Sequence, residues 1–311
     1  MKELESRKTS DADNCILTPD GETCYVVDVM NCLRKLVKKD KQIFGAIAEA
    51  YCAYTASICR HSGRIDHVFD SYHELSPKDC ERLRRKTSAI IELQNVDFDV
   101  RLPVQMETFW PSSKNKLLFQ KFTIDYFTTM LIDKPTSTKH VFSAFSGPSH
   151  DIIQSCTSIV NDQHNIVSDL DCFSMEEADF RMIVHAQHAA AHGFTQFVFV
   201  TADTDVFILC LFHWKRLHVF GVQELWIRTG IGDSTRIIPV HVLVETLGLT
   251  LCSVYQQFML SLEPTIPENF ALNCNPVQFL PNFGIAVDDC DMLNSMKKAE
   301  EYLVQLWKRG H

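Results

Sequence analysis

Acidic residues mark several points in the 311-residue chain where a strand-like run gives way to a helix-like one. The runs CYVVDVM and RIDHVFD carry Asp28 and Asp70, and the run TQFVFVTADTD ends in Asp203 and Asp205. In α/β proteins with parallel sheets, ligand sites gather at the carboxyl ends of the strands. We therefore expect these carboxylates, which are distant in sequence, to lie along one edge of a sheet.

A further acidic group opens the helix-like segment EEADFRMIVHAQHAA, whose first turn contains Glu177 and Asp179. Ser174 precedes Glu177 by three residues, which is the spacing of a capping box, so Glu177 has a structural alternative as a capping residue. The aspartates at the strand ends have structural alternatives of the same kind, as helix caps or turn residues. Four such groups, each between a strand and a helix, favour a shared chemical role.

Grouped carboxylates repel one another and raise each other's pKa unless a cation lies among them. Hard oxygen ligands of this kind favour Mg²⁺ or Mn²⁺. Two such ions about 4 Å apart activate water and stabilise the leaving oxygen in phosphodiester hydrolysis. The acidic pattern therefore indicates a Mg²⁺ or Mn²⁺ site, and phosphodiester hydrolysis is one reaction that such a site can support.

The elements that position these residues alternate between strands and helices, which predicts an α/β fold with a mainly parallel sheet. A helix capped by Ser174 is predicted at residues 175–192, and another at Lys114–Leu131. The segment NIVSDL is predicted to be a strand. The apolar runs VFILCLF and RLHVF are predicted to form a hairpin around His213–Arg216, followed by a strand at ELWIR.

The organisation along the chain predicts a polar tail at residues 1–18 and one domain at residues 19–262, with a helical insertion at about 72–150. Residues 263–311 are predicted to be an irregular segment followed by a C-terminal helix, and a further helix is expected at 250–262. No repeat or low-complexity tract interrupts this order.

The composition, 46% hydrophobic with a net charge of −9, favours a globular protein over one that coats nucleic acid. The apolar runs are too short to span a membrane, and the charged N-terminal residues do not resemble a secretory signal. The 12 cysteines include no CxxC pair, so we expect reduced core thiols and not a zinc ribbon. We expect an intracellular protein, in the nucleus or cytoplasm, without a membrane partner.

Two further patterns each have a structural and a functional interpretation. The segment ERLRRK could contact nucleic-acid phosphates or form a solvated helix face, and its basic residues are Arg82, Arg84, Arg85 and Lys86. Three histidines on one predicted helix, His185, His188 and His192, are expected to be partly buried or solvated, and zinc binding by them is the less favoured interpretation.

The order of the acidic motifs resembles that of the PIN and flap-endonuclease-like nuclease superfamily. Flap endonucleases carry an aspartate after the first strand, another in a VFDG element, a Glu-Ala-Glu motif that opens a helix, and an Asp-x-Asp after the next strand. The resemblance implies a three-layer α/β fold and a Mg²⁺- or Mn²⁺-dependent nuclease acting on DNA or RNA. The metal-binding and catalytic residues that it implies are Asp28, Asp70, Glu177, Asp179, Asp203 and Asp205.

Within the superfamily, the chain is more similar to animal proteins associated with mobile elements. The matching segments are VFDSY, KNKLLFQKF, EEADFRMIVHAQHAA, DTDV and LWIRTGIGDSTRIIPVH, and they extend over about residues 22 to 250. By the same resemblance, the ERLRRK segment corresponds to the basic arch of a flap endonuclease.

The chain departs from these relatives after Leu247-Gly248, where they continue into a TGCD segment that supplies a late metal-binding aspartate. Here the segment LTLCSVYQQFML follows and contains no such motif. Asp233 is an earlier substitute, and Asp288, Asp289 and Asp291 come later. The departure predicts an impaired second metal site, so a catalytically inactive binding module derived from a nuclease is the alternative function.

Overall fold

A computed structural model of the chain describes residues 16–37, 42–70, 90–143, 145–146, 152–153, 156–161, 163–170, 172 and 178–247. The chain divides into two compact units, Thr18–Thr201 and a second that consists of Met1–Leu17 with Ala202–His311. Strands and helices alternate along the described residues, and the predicted α/β class is confirmed.

The first unit contains eight strands and four α-helices among its described residues. In chain order they are β1 Thr23–Asp28, α1 Val29–Leu36, α2 Phe44–Ile58, β2 Arg64–Val68, α3 Ser113–Asp133, β3 Lys139–Phe142, β4 Phe145–Ser146, β5 Ile152–Ile153, β6 Cys156–Val160, β7 Gln163–Val167, α4 Ala178–Ala191 and β8 Gln196–Val200. A short 3₁₀-helix, Met106–Thr108, precedes α3.

Six of these strands lie side by side in the order β8-β1-β2-β3-β6-β7. The pairs β8–β1, β1–β2 and β2–β3 are parallel, whereas β3–β6 and β6–β7 are antiparallel. All six residues of β1 are buried, as expected for a central strand between two parallel neighbours. The arrangement is therefore mixed, with the predicted parallel pairing at its centre.

Helices cover both faces of these strands. Because alternate side chains of a strand point to opposite faces, neighbouring residues of β2 contact different helices. On one face, α4 contacts β2 through a hydrogen bond of 2.7 Å between His185 Nδ1 and Asp66 Oδ2. On the other face, α2 contacts β2 through Tyr51 Oη, 2.7 Å from His67 Nδ1. Helix α3 joins that face through Phe127, whose ring centroid lies 4.7 Å from that of His67.

The second unit is described from Ala202 to Leu247. It contains α5 Thr204–Val219, β9 Glu224–Thr229, a 3₁₀-turn Gly232–Ser234, β10 Arg236–Pro239 and α6 Val240–Leu247. Strands β9 and β10 pair antiparallel. Helix α6 packs against β9, and the ring centroids of His241 and Trp226 lie 5.0 Å apart.

The hairpin predicted from VFILCLF and RLHVF is wrong, because both runs belong to the single helix α5. An apolar run of this length does not distinguish a buried strand from a buried helix by its periodicity. The helix start supplies the missing information, since Asp203 caps the first turn. One buried stripe then follows helical spacing, at Val206, Cys210, Trp214 and Leu217.

The range predicted to be a helical insertion, about 72–150, contains the expected long helix α3 but is not helical throughout. Strand β3 lies in this range and pairs with β2 in parallel. Strand β6, which the sequence did not predict, follows it, and the strand expected at NIVSDL is β7, which ends at Val167. The helices predicted at 250–262 and 289–308 lie outside the described residues.

Two expectations about the environment of the chain concern its thiols and its hydrophobic segments. The cysteines of the described residues are free, and most are buried, in agreement with the predicted core thiols. Within the described ranges, no helix combines the length and the apolar character needed to cross a membrane.

A chain of buried polar groups links the central strands to α2. Tyr51 Oη lies 2.7 Å from His67 Nδ1, and His67 Nε2 lies 3.0 Å from His140 Nδ1. Burial lowers the pKa of His140 to about 4 and lowers the pKa of His67 well below its ordinary value. Both imidazoles are therefore neutral in the folded state at neutral pH.

We predict that the free energy of unfolding falls as the pH is lowered from about 6.5 towards about 4. Over this range the unfolded chain binds a proton at His140 and the folded chain does not. The contribution of His140 to the free energy of unfolding is therefore complete above the unfolded pKa and decreases as the pH falls below it. Between pH 7 and pH 5 a single such group contributes roughly 2 kcal/mol. Denaturant unfolding of His140→Gln at both pH values should show a smaller decrease than the wild type, and an equal decrease contradicts the prediction.

Candidate functional site

The candidate site in the first unit lies where β1, β2 and β8 end. Strand β1 lies between the other two, with Asp28 paired with Val68 and Val27 paired with Val200. Since all three strands are parallel, their carboxyl ends meet at one edge. Asp28 at the end of β1 and Asp70 just after β2 are thereby brought to that edge, as predicted.

Asp28 both starts a helix and faces the neighbouring strand. Its Oδ1 accepts a hydrogen bond from the backbone N–H of Asn31 at 3.0 Å, which caps α1. Its Oδ2 accepts a hydrogen bond from the hydroxyl of Thr201 at 3.3 Å, at the end of β8. The side chain is nearly buried, with 7% of its surface exposed. These contacts fix the orientation of the carboxylate.

Asp70 connects the end of β2 to the start of α4. Its Oδ1 accepts a hydrogen bond from the backbone N–H of Ala178 at 3.0 Å. The adjacent residue, Asp179, lies in the first turn of α4 and is half-buried. Arg181, one turn further, donates from Nη1 to the carbonyl of Phe69 at 3.2 Å. Asp179 is therefore carried by a helix turn that Asp70 binds to the end of β2.

Asp203 and Asp205 belong to the second unit, two and four residues after Thr201 in the chain. We expected them to share one face of a continuing strand, but β8 ends at Val200 and Asp203 is the N-cap of α5. Asp203 Oδ1 accepts a hydrogen bond from the backbone N–H of Asp205 at 2.9 Å. A carboxylate oxygen of each lies within 4.8 Å of the other, so the two form an acidic pair at a helix N-terminus.

Several predicted site residues lie outside the described residues. They are Glu177 and the four basic residues Arg82, Arg84, Arg85 and Lys86. The late acids Asp288, Asp289 and Asp291 also lie outside. Asp233, the earlier substitute for the missing aspartate, is exposed in the 3₁₀-turn between β9 and β10.

A second polar group on α4 was not predicted as a site. His188 Nε2 and His192 Nε2 lie 3.2 and 3.6 Å from Asp169 Oδ2. Burial lowers the pKa of His188, whereas the close approach of His188 lowers the pKa of the Asp169 carboxyl. The two histidines have the i, i+4 spacing of helical metal ligands, which the sequence contained, but the approach of Asp169 is a long-range contact that no local spacing encodes.

Comparison of the chain with models of protein families, with curated proteins and with solved structures found no match.

The caps give a way to separate structural from chemical roles. We predict that Asp203→Ala lowers the free energy of unfolding by about 1 kcal/mol, because the first turn of α5 loses its cap. Asp203→Asn should retain most of the stability, since the amide oxygen still accepts the N–H of Asp205. Chemical denaturation of both variants beside the wild type measures the difference. An equal loss in both would show that the charge, and not the cap, is what α5 requires.

Proposed function

We propose that the protein is a Mg²⁺- or Mn²⁺-dependent nuclease of the PIN and flap-endonuclease-like type, which hydrolyses phosphodiester bonds of DNA or RNA. The observation that carries the proposal is that Asp28 and Asp70 lie at the carboxyl ends of adjacent parallel strands. Asp179 directly follows Ala178, the residue whose backbone N–H binds Asp70. The carboxyl ends of parallel strands are where α/β proteins bind ligands.

The donor set is consistent with a hard divalent cation. Asp28 and Asp70 are carboxylates at the ends of adjacent strands, and their hydrogen bonds hold these oxygens in place. Oxygen-only ligands favour Mg²⁺ or Mn²⁺ over softer metals.

In the proposal, Asp28, Asp70, Glu177 and Asp179 hold one ion, and Asp203 with Asp205 holds a second. Bound divalent cations supply water of lowered pKa and neutralise charge on the phosphate. The hydroxyl of Thr201 and the N–H of Asn31 keep the carboxylate of Asp28 from rotating away. Arg82, Arg84, Arg85 and Lys86 are proposed to contact the backbone phosphates of the nucleic acid, which is the partner.

We predict that the wild-type protein cleaves nucleic acid in the presence of Mn²⁺ and that Asp203→Asn and Asp28→Asn each lose at least about 100-fold in rate. The asparagine retains the capping oxygen but removes the ligand charge, so the loss does not result from unfolding. Single-stranded, flapped and structured DNA and RNA are the substrates. Asp133→Asn, an exposed carboxylate at the end of α3, is the matched control and should cleave like the wild type.

Metal binding is measured separately, by the melting temperature with and without Mn²⁺. At a Mn²⁺ concentration 100 times the dissociation constant, stabilisation is about 2.7 kcal/mol for one site, and it should disappear in Asp28→Asn. Metal-dependent stabilisation without cleavage of any substrate would favour the catalytically inactive binding module. If Mn²⁺ produces no stabilisation and no cleavage, the metal site itself is refuted.

A further inference from the structure

A second cluster of potential ligands lies in the interior of the first unit and is separate from the acidic edge. It consists of Cys156 on β6, Cys172 after β7, and His185 on α4, and none of the three has exposed surface. The two Sγ atoms are 3.8 Å apart, and Cys172 Sγ lies 3.9 Å from His185 Nε2. All three ligand atoms lie within 4.8 Å of one another.

The orientation of His185 directs one ring nitrogen at the sulfurs. Its Nδ1 lies 2.7 Å from Asp66 Oδ2, and Arg64 binds the same carboxylate through Nε at 2.6 Å and Nη2 at 2.7 Å. Burial alone raises the pKa of Asp66, but the charge of Arg64 and the hydrogen bonds from His185 and Arg64 hold it below its usual range. An ionised Asp66 accepts the Nδ1 proton, so Nε2 can present a lone pair to the cluster.

This arrangement matches a common feature of zinc sites. Metal-binding histidines usually donate their other ring N–H to a carboxylate, which fixes the ring and increases its basicity. Here Asp66 takes that position, and Arg64 in turn holds Asp66. The histidine is therefore preorganised from the side opposite to the sulfurs.

The distances fit a tetrahedral ion better than a direct sulfur bond. A disulfide requires sulfur atoms about 2.05 Å apart. Zn–S bonds of about 2.3 Å and Zn–N bonds of about 2.0–2.1 Å give tetrahedral edges of about 3.8 Å between sulfurs and about 3.6 Å between sulfur and nitrogen. The observed 3.8 and 3.9 Å are close to these values. The remaining edge, at most 4.8 Å, would shorten by roughly 1 Å around an ion.

The side chains around the cluster are largely apolar. Cys156 and Cys172 belong to an apolar group that also contains Val141, Val167 and Leu170, with Val184 of α4 packed against it. A thiolate enclosed by apolar side chains is stabilised by a cation bound directly to it.

We propose that Cys156, Cys172 and His185 bind one structural Zn²⁺ ion, with Asp66 positioning the histidine. The ion would join the antiparallel strands β6 and β7 to helix α4, and through Asp66 to the central strand β2. Among the described residues, no fourth histidine, cysteine or acidic side chain joins the three, so the proposal specifies three protein ligands. It is independent of the proposed nuclease activity, because it uses none of the acidic edge residues.

The test uses the full chain, loaded with Zn²⁺ and desalted, and measures zinc per chain by elemental analysis. We expect Cys156→Ser and Cys172→Ser each to lose one zinc equivalent relative to the wild type. Cys210→Ser, which alters a buried thiol in α5, is the matched control and should keep it. A zinc content that neither cluster substitution changes overturns the proposal.

Substitution of cobalt for zinc identifies the ligand type, which matters because the acidic edge and the Asp169 group could also take a divalent ion. We expect a sulfur-to-cobalt charge-transfer band and the visible bands of tetrahedral Co²⁺ in the wild type and in Cys210→Ser, and their loss in Cys172→Ser. Neither of the other groups contains sulfur, so ions bound there cannot produce the charge-transfer band. Absence of that band in the wild type overturns the proposal.

A measurement on the wild type alone remains decisive if the serine variants do not fold. X-ray absorption at the zinc edge should require two sulfur ligands at about 2.3 Å together with nitrogen or oxygen at about 2.0–2.1 Å. Addition of a strong chelator should lower the melting temperature, and added Zn²⁺ should restore it. A zinc environment made only of nitrogen and oxygen overturns the proposal.

Discussion

The interior of the first unit depends on one buried carboxylate, that of Asp66 in the central strand β2. A charge without solvent is costly unless it is paired and hydrogen-bonded, and Asp66 receives two hydrogen bonds from Arg64 and one from His185. Arg64 lies two residues before Asp66 on the same face of the strand. His185 comes from α4, so this helix must dock in one position for the charge to be compensated. Breaking such a buried pair typically costs about 3–5 kcal/mol.

The docking of α4 on Asp66 also positions the first described turn of this helix. Its first turn reaches the end of β2, where Ala178 donates to Asp70 and Arg181 donates to the carbonyl of Phe69. Asp179 and His185 are six residues apart, which is roughly 9 Å along a helix axis. One helix thus carries an acidic group at the sheet edge and a thiol-facing imidazole in the interior. The positions of both groups therefore depend on how α4 packs against β2.

The elements that the sequence predicted well are those with a strong local pattern. Strands β1 and β8 are mostly apolar and β-branched, and β2 leads into the apolar pair Val68-Phe69. An aspartate lies at the end of each strand or within three residues of it, so both the strands and the edge where they end were predictable. Helix α5 was not, because its apolar run resembles a strand until the cap at Asp203 is recognised. Capping by this residue is a local interaction that the sequence contained as the turn alternative for DTD.

The interior contacts were less predictable because they join residues far apart in the chain. The cysteines were expected to be core thiols, which holds for Cys156 and Cys172, but their approach to His185 depends on how β6 and α4 pack. The same is true of Asp169, which approaches His188 from the loop after β7. Composition predicted that the cysteines would be core thiols, whereas the packing of strands and helices decides which side chains meet them.

The aspartates at the starts of α1 and α5 serve the backbone whether or not they serve a reaction. Asp28 holds the N–H of Asn31, and Asp203 holds that of Asp205. A lineage that had abandoned catalysis would still be selected to keep an oxygen acceptor at both positions, and aspartate and asparagine meet that need about equally well. Exchange of aspartate for asparagine at these two positions is therefore expected in a catalytically inactive descendant that keeps the fold.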